Sequence, residues 1–579
     1  MSNNLSQATG GLATLSVKAG GSPLDASFQV LSMEVSIEIN RIPSAQILIL
    51  DGDPAKGTFE ASMSPKLAPG QEIQVMIGYN TQNKEVFKGV IVRQSIQFRD
   101  NLSVVRIDCR AKSYKLTLNR KSKVFYEKKD SDLIKTLAQG SGLQVSVDAT
   151  TQQHKEMVQY HTSDWDFLIC RAEANGLIVN HEGTKLKVEK PVLSGSPVAT
   201  LQYGRDLVEF SAEIDGREQV KNVSVSAWSP KDQAMLNSKG SSSGTSGLGG
   251  IKERDLQSNV GPSEYELTHG GMLQSQELKS WAEARAQRHA LGRMRGTATI
   301  QGSAAILPGK LVEFDRLGKS YDGKAYVTAV QHVYDEGGWE TRIQFGLDPE
   351  LHSRRYADVQ TLPAEGLLPG IHGLQVGVVT KLSGDPENEH RLRVRIPAVE
   401  TSGEGVWARI GSLDAGKERG WFYRPEVGDE VIVGFIHDDP RYPVVLGQLH
   451  SSKNAPPLTE TEDNHQKGYF SREKMRLLFD DQKKSITLDT PKGKKLILDD
   501  DGGSITLEDE NGNKIVMDSQ GISIETPKKL TLKATQDAAL EGMNVEVKAS
   551  TQLKASGSAG AEVSSSANLV LKGALVQIN

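Results

Sequence analysis

The chain has 579 residues, a net charge of −5, 37% hydrophobic but only 6% aromatic residues, and 56 glycines. That length exceeds what one hydrophobic core organises, so three or four domains are expected, and the charge gives no basic footprint for nucleic acid. Cys109 and Cys170 are too few for a disulfide framework or a zinc cluster, Met1–Gly11 carries no signal-peptide pattern, and no apolar run of about 18 residues offers a membrane span.

The first region reads as strands. Met33, Val35, Ile37 and Ile39 alternate with Ser32, Glu34, Ser36 and Glu38, the period of a strand with one wet face. Ile73, Val75 and Ile77 repeat it, and Val86–Val92, Ile96–Phe98 and Val104–Cys109 follow as further strands. Then the pattern changes. Ser163 stands three residues before Asp166, where its hydroxyl can accept from the Asp166 N–H and start a helix. Phe167, Leu168, Ile169 and Ala172 supply an apolar face, and Asn175-Gly176 closes it. A second helix is expected over Asp132–Gln139, so residues 122–195 read as a small α+β insertion. Ser238–Gly250 is almost all Ser, Gly and Thr and reads as a loop, or as a flap that orders on assembly.

A longer helix, Ser275–Leu291, is stopped by Gly292, after which strands return. They carry a faint internal repeat. Pro69-Gly70 opens a strand that is followed by Phe87–Val92; Pro308-Gly309 opens another that is followed by Gly323–Thr328 and Trp339–Phe345. This reads as two copies of one β-module. Residues 351–372, with Pro363 and Pro369, read as a linker. Five short strands, Leu374–Thr380, Leu392–Ile396, Gly405–Ile410, Glu430–Phe435 and Val444–Leu449, suit a small closed barrel of the OB type.

The tail carries short apolar triplets beginning at Ile486, Leu496, Ile505, Ile515, Ile522, Leu530, Ala538, Val545, Leu553, Ala561, Leu569 and Val576. From Ile522 the period is close to eight. Eight residues make one side and one corner of a triangular prism, so a single chain cannot bury the inward face alone. Three intertwined chains would close the prism and remove the free edges that invite aggregation. At about 4.8 Å per strand spacing, twelve strands give a stiff needle of roughly 55–60 Å. An Ala/Ser-rich disordered tail is the competing reading, and it leaves the regular apolar spacing unexplained.

Three segments, in this order along the chain, carry a family resemblance. Ser163-Asp-Trp-Asp-Phe-Leu168 with Glu173-Ala-Asn-Gly-Leu177 resembles a hub helix of VgrG-type spike proteins. Gly420-Trp-Phe-Tyr-Arg-Pro-Glu-Val-Gly-Asp-Glu-Val-Ile-Val-Gly-Phe435 with Asp439-Pro-Arg-Tyr-Pro-Val-Val-Leu-Gly447 resembles their OB barrel, and the octad tail resembles their trimeric β-helix needle. The resemblance implies a mainly β fold: tube-protein-like β-modules at 1–121 and 196–350 around the insertion 122–195, the linker 351–372, an OB-fold barrel at 373–455, a connector at 456–484 and a needle at 485–579. It implies a homotrimer whose hub, six modules from three chains, caps the hexameric inner tube of a contractile injection system. The needle would then puncture the target envelope when the sheath contracts. Implied partners are the inner tube protein, baseplate components and a PAAR-like tip protein on Val576, Gln577, Ile578 and Asn579, with the target membrane touched only during puncture. The compact build suits extracellular phage-tail-like particles. Such a chain is expected to be made in the cytoplasm and carried in an assembled, released particle. Too few residues separate Leu449 from Ile486 for the lysozyme domain of some phage relatives.

No catalytic, cofactor or metal site is expected. Gly411-Ser-Leu-Asp-Ala-Gly416-Lys417-Glu418 resembles a phosphate-binding loop but ends in Glu418 where Ser or Thr would ligate magnesium. His437 with Asp438 and Asp439 reads as a solvated turn. Trp407, Trp421, Phe422 and Tyr423 offer an aromatic surface for an oligonucleotide or sugar, but negative charge favours packing in the barrel or between chains. The competing functions are an envelope-degrading enzyme, which needs a clustered acid pair that the sequence does not single out, and an OB-type nucleic-acid or glycan binder.

Overall fold

The computed structural model describes residues 11–53, 55–99, 102–242 and 250–578. The chain divides into two compact units, Met1–His372 with Ile436–Pro440, and Gly373–Phe435 with Arg441–Asn579.

In the first unit, period-two alternation builds β1 (Val30–Glu38), where Met33, Val35 and Ile37 are buried and Glu34 is exposed. With β2 (Ser44–Leu50), β3 (Glu72–Tyr79), β4 (Gln82–Arg99) and β5 (Leu102–Arg110) it forms the antiparallel order β1-β2-β5-β4-β3. The stretches read as two strands, Val86–Val92 and Ile96–Phe98, are one strand. A bulge between Ile91 and Arg93 bends β4 without ending its ladder to β5. Met33, Ile47, Ile73, Ile91 and Ile107 form the core beneath.

The insertion follows. Helix α1 spans Asp130–Ala138, starting two residues before the expected Asp132. Helix α2 spans Asp164–Ala174, and the Asp166 N–H donates to Ser163 Oγ at 3.0 Å, as the capping pattern predicts. Leu133, Ile134, Trp165, Leu168 and Ile169 pack the two helices together in a separate core.

The repeat becomes explicit in β6 (Leu207–Ile214), helix α3 (Ser275–Leu291), β7 (Met294–Gln301), β8 (Leu311–Asp315), β9 (Gly323–Asp335) and β10 (Gly338–Phe345). The strand order is β6-β7-β10-β9-β8, the order of the first copy shifted by five. The Pro-Gly turns match bond for bond. Gly70 N–H donates to Ile91 O and Ile91 N–H to Gln71 O; Gly309 N–H donates to Val327 O and Val327 N–H to Lys310 O, all within 2.8–2.9 Å. Both glycines hold positive φ, +97° and +83°, which other residues adopt only with strain. The bulge recurs too, between Val327 and Ala329 against β10. Strand β9 then pairs antiparallel with β1, so the two copies share one continuous 13-stranded sheet. Helix α3 covers a small separate sheet through Leu278, Ala282 and Ala286. Ser238–Gly240, read as part of a loop, ends the strand Ala234–Gly240 of that sheet, paired in register with Val223–Val225; residues 243–249 of the same stretch lie outside the described residues.

In the second unit, β11 (Gln375–Lys381), β12 (Leu392–Arg395), β13 (Val406–Ile410), β14 (Glu430–Phe435) and β15 (Pro443–Gln448) close a barrel in the order β11-β12-β13-β15-β14. Val379, Leu392, Val394, Ala408, Val431, Val433 and Val445 fill it. An antiparallel meander follows: β16 (Gln466–Phe470), β17 (Arg476–Asp480), β18 (Ser485–Asp489), β19 (Lys495–Asp499), β20 (Ser504–Glu508), β21 (Lys514–Asp518) and β22 (Gly521–Glu525). Its first two strands lie within the segment read as a connector.

Candidate functional site: the C-terminal strands and the barrel

The meander places twelve of its apolar residues in two columns on one face. One runs through Leu477, Leu488, Leu496, Leu507, Ile515 and Ile524; the other runs through Phe479, Ile486, Leu498, Ile505, Met517 and Ile522. Register forces this, because successive strands pair with these positions directly opposite and period two sends them all to one face. Within one chain the face is uncovered: Ile522 is 69% exposed and Leu488 53%. Leu488, Leu496, Leu507, Ile515, Ile524 and Leu530 line an open hollow of about 590 Å³ along it.

The tail divides into two regimes. The triplets at Ile486, Leu496, Ile505, Ile515 and Ile522 all lie in paired strands, at steps of ten, nine, ten and seven. From Leu530 the octads do not continue the meander. Residues 526–578 form no regular element in the single chain, and Leu532, Val547 and Leu571 are exposed. The expectation of twelve strands therefore holds within one chain only for the first five triplets; the remainder has no neighbour to pair with in one copy. Of the expected tip residues, Val576 and Ile578 are exposed, Gln577 lies between them, and Asn579 lies outside the described residues.

The barrel presents its aromatics outward. Trp421 and Tyr423 stack with centroids 5.3 Å apart, Tyr423 meets Tyr469 at 4.7 Å, and Phe422 is 84% exposed. Trp407 instead carries the Arg393 guanidinium 5.1 Å above its ring. The phosphate-loop look-alike is a tight hairpin, Ala415–Gly416 against Arg419–Gly420, with no helix whose N-terminus could face an anion. His437 and Asp438 sit in a turn with positive φ. Among the described residues no group of three His, Cys, Asp or Glu side chains could hold a metal ion.

One buried polar cluster escaped sequence reading. Asp130 accepts from Arg171 Nε at 2.7 Å and Nη2 at 2.9 Å, and from Asn175 Nδ2 at 2.9 Å; His154 Nε2 is 3.0 Å away. Arg171 also reaches Glu277 of α3 at 3.4 Å. Burial would raise the Asp130 pKa, but the His154, Arg171 and Asn175 hydrogen bonds outweigh it and hold the carboxyl well below the usual carboxylate range. With its oxygens engaged in this way, Asp130 clamps Arg171, the residue that reaches from the insertion to α3. Members spread from residue 130 to 277 leave no spacing signal.

Comparisons with known proteins match the chain in three successive segments. A family model described as the Alg8 N-terminal domain matches residues 9–336, more than half of the chain. A type VI secretion system/phage-baseplate injector OB domain matches 375–450, and a phage baseplate V C-terminal trimerisation domain matches 485–579. The type VI secretion system spike protein VgrG1b of Pseudomonas aeruginosa is 25% identical over 62% of this chain and 50% of its own length. VgrG1c of the same organism is 22% identical over 77% and 62%. The chain thus spans about half to three fifths of the length of these relatives. Among solved structures, a 43 kDa tail protein of prophage MuSo2 from Shewanella oneidensis is 11% identical with a TM-score of 0.46, covering 58% of this chain and 98% of its own. The chain belongs to the Alg8 N-terminal domain family through residues 9–336 and, with the injector OB domain and trimerisation domain matched after it, is similar to VgrG-type spike proteins.

Proposed function

We propose that this chain is the structural spike of a contractile injection system and works as a homotrimer. The observation that carries this is the pair of uncovered apolar columns on the 466–525 meander, continuous with octads that stay unpaired in one chain. Two further copies would cover the columns and supply the missing strands, turning 485–579 into a β-helix needle. Its action is mechanical: ladders of hydrogen bonds on three sides transmit compression, and no bond is made or broken in the target. The duplicated β-modules, two per chain, would give a hub of six modules that caps a hexameric inner tube and sits among baseplate components. The end of the needle, Val576–Asn579, is the platform for a PAAR-like tip protein, and the target membrane is met only at puncture. The assembled particle is built in the cytoplasm and acts after release.

Light scattering of the purified full-length chain tests this, with negative-stain images of the same sample. A threefold mass and a thin needle on a broader base support the spike. A compact monomer at micromolar concentration removes the needle and leaves the barrel to be tested as a binding module.

A further inference from the structure

The junction between the insertion and α3 holds a cleft that the Asp130 cluster does not fill. Arg171 of α2 and Asn175 at its C-terminal cap stand four residues apart, and so do Glu277 and Trp281 of α3, so each pair shares one face of its helix. These four side chains, with Leu273 and Ala174, line a hollow of about 180 Å³. That space holds about six waters at liquid density, or a single small ring.

Four polar groups of the lining residues stay open within the chain. Arg171 engages Asp130 through Nε and Nη2, and its Nη1 has no hydrogen-bond partner among the described residues. Glu277 has only long contacts, 3.4 Å to Arg171 Nη2 and 3.9 Å to His154 Nδ1. Asn175 donates through Nδ2 to Asp130 and to the Arg171 carbonyl, and its Oδ1 accepts from no donor among the described residues. Trp281 packs against the core of the small sheet, and its indole N–H likewise has no acceptor among them. Two donors and two acceptors therefore remain beside an aromatic ring and a leucine.

Charge decides the class of occupant. Asp130 meets the Arg171 guanidinium through both oxygens and Glu277 stands beside it, so one positive group lies between two negative ones. A carboxylate placed on Nη1 would meet the repulsion of Asp130 and Glu277. An ammonium placed on Glu277 would meet Arg171 and leave Nη1 and the indole N–H without acceptors. A hydroxyl donates and accepts at once and carries no charge. Neighbouring hydroxyls can bridge Nη1 and Glu277 while the C–H face of the same ring packs on Trp281 and Leu273. We propose that this cleft binds one neutral pyranose sugar, with Arg171 Nη1 and Glu277 holding adjacent hydroxyls and Trp281 taking the apolar face. The site goes beyond the spike reading and stands or falls separately from it.

Saturation-transfer NMR on the full-length chain tests this. The probes are the methyl glycosides of glucose, galactose, mannose and N-acetylglucosamine, each at up to about 10 mM, which reads dissociation constants near 1 mM. Putrescine and glycine at the same concentration are the cationic and zwitterionic comparisons. At least one glycoside is expected to receive saturation at its ring C–H protons, and putrescine and glycine none. Glu277→Gln removes the charged acceptor and should weaken that glycoside about tenfold or more. Ala174→Leu fills the cleft and should abolish the signal. Circular dichroism identifies which variants fold, and Trp281→Phe, which keeps a ring against the core, replaces one that does not and should weaken the glycoside severalfold. Silence from all four glycosides, a response to putrescine or glycine in their place, or a glycoside signal unchanged in a folded variant overturns the site.

Discussion

Replacing Asp130 by Asn removes the charge that faces Arg171 while keeping its shape. The guanidinium makes two bonds to Asp130, and its side chain is 16% exposed, so water replaces little of what is lost. Removing one partner of a buried pair costs about 3–5 kcal/mol. Here Glu277 remains 3.4 Å from Arg171, and Asn keeps one accepting oxygen, which brings the expected cost to about 2–3 kcal/mol. Native-state hydrogen exchange of amides in α1 and α2 reads this as local opening, and that cost corresponds to roughly 30- to 150-fold faster exchange. The pH dependence has a definite sign. The folded Asp130 carboxyl ionises below its unfolded range, so its contribution is complete above that range and is lost as pH falls towards the folded value. The difference between the two proteins should shrink steadily from about pH 5 to pH 2. An exchange ratio under threefold at pH 7, or a difference that ignores pH, would refute the clamp.

Four further outcomes are expected. Ser163→Ala should destabilise α2 by about 1 kcal/mol through loss of its cap, whereas Ser163→Thr should be nearly neutral, as read by the same exchange. Gly70→Ala and Gly309→Ala should each cost about 1–2 kcal/mol in thermal unfolding because φ is positive at both, and Gly309 more, since an added Cβ would lie 2.9 Å from Asn180 Nδ2. His332 is buried and burial lowers its pKa to about 4, so the unfolded chain binds the proton first and stability falls as pH drops from about 6.5 towards 4. Exchange of His332 for Gln should remove up to about 3 kcal/mol of that dependence in chemical-denaturation midpoints taken across the range. Finally, Leu532→Asp, Val547→Asp and Leu571→Asp together should lower the mass seen by light scattering; an unaltered trimer would mean these side chains do not face inward.

Local sequence determined much of this protein. The capped helix at Ser163, helix α3 to its last residue and the five barrel strands to within a residue or two were legible because each rests on short-range periodicity and its stop signals. The repeat was legible only as two Pro-Gly turns; its meaning lies in hydrogen-bond registers, which couple residues hundreds of positions apart and leave no periodic trace. The same holds for the Asp130 cluster, whose members within the insertion meet through its own fold and reach Glu277 only because the insertion packs against α3. In the tail, the spacing reported the apolar triplets. Where the meander ends, after Glu525, and which side chains are then left uncovered was decided by the tertiary structure, because only pairing fixes the face to which a strand residue points.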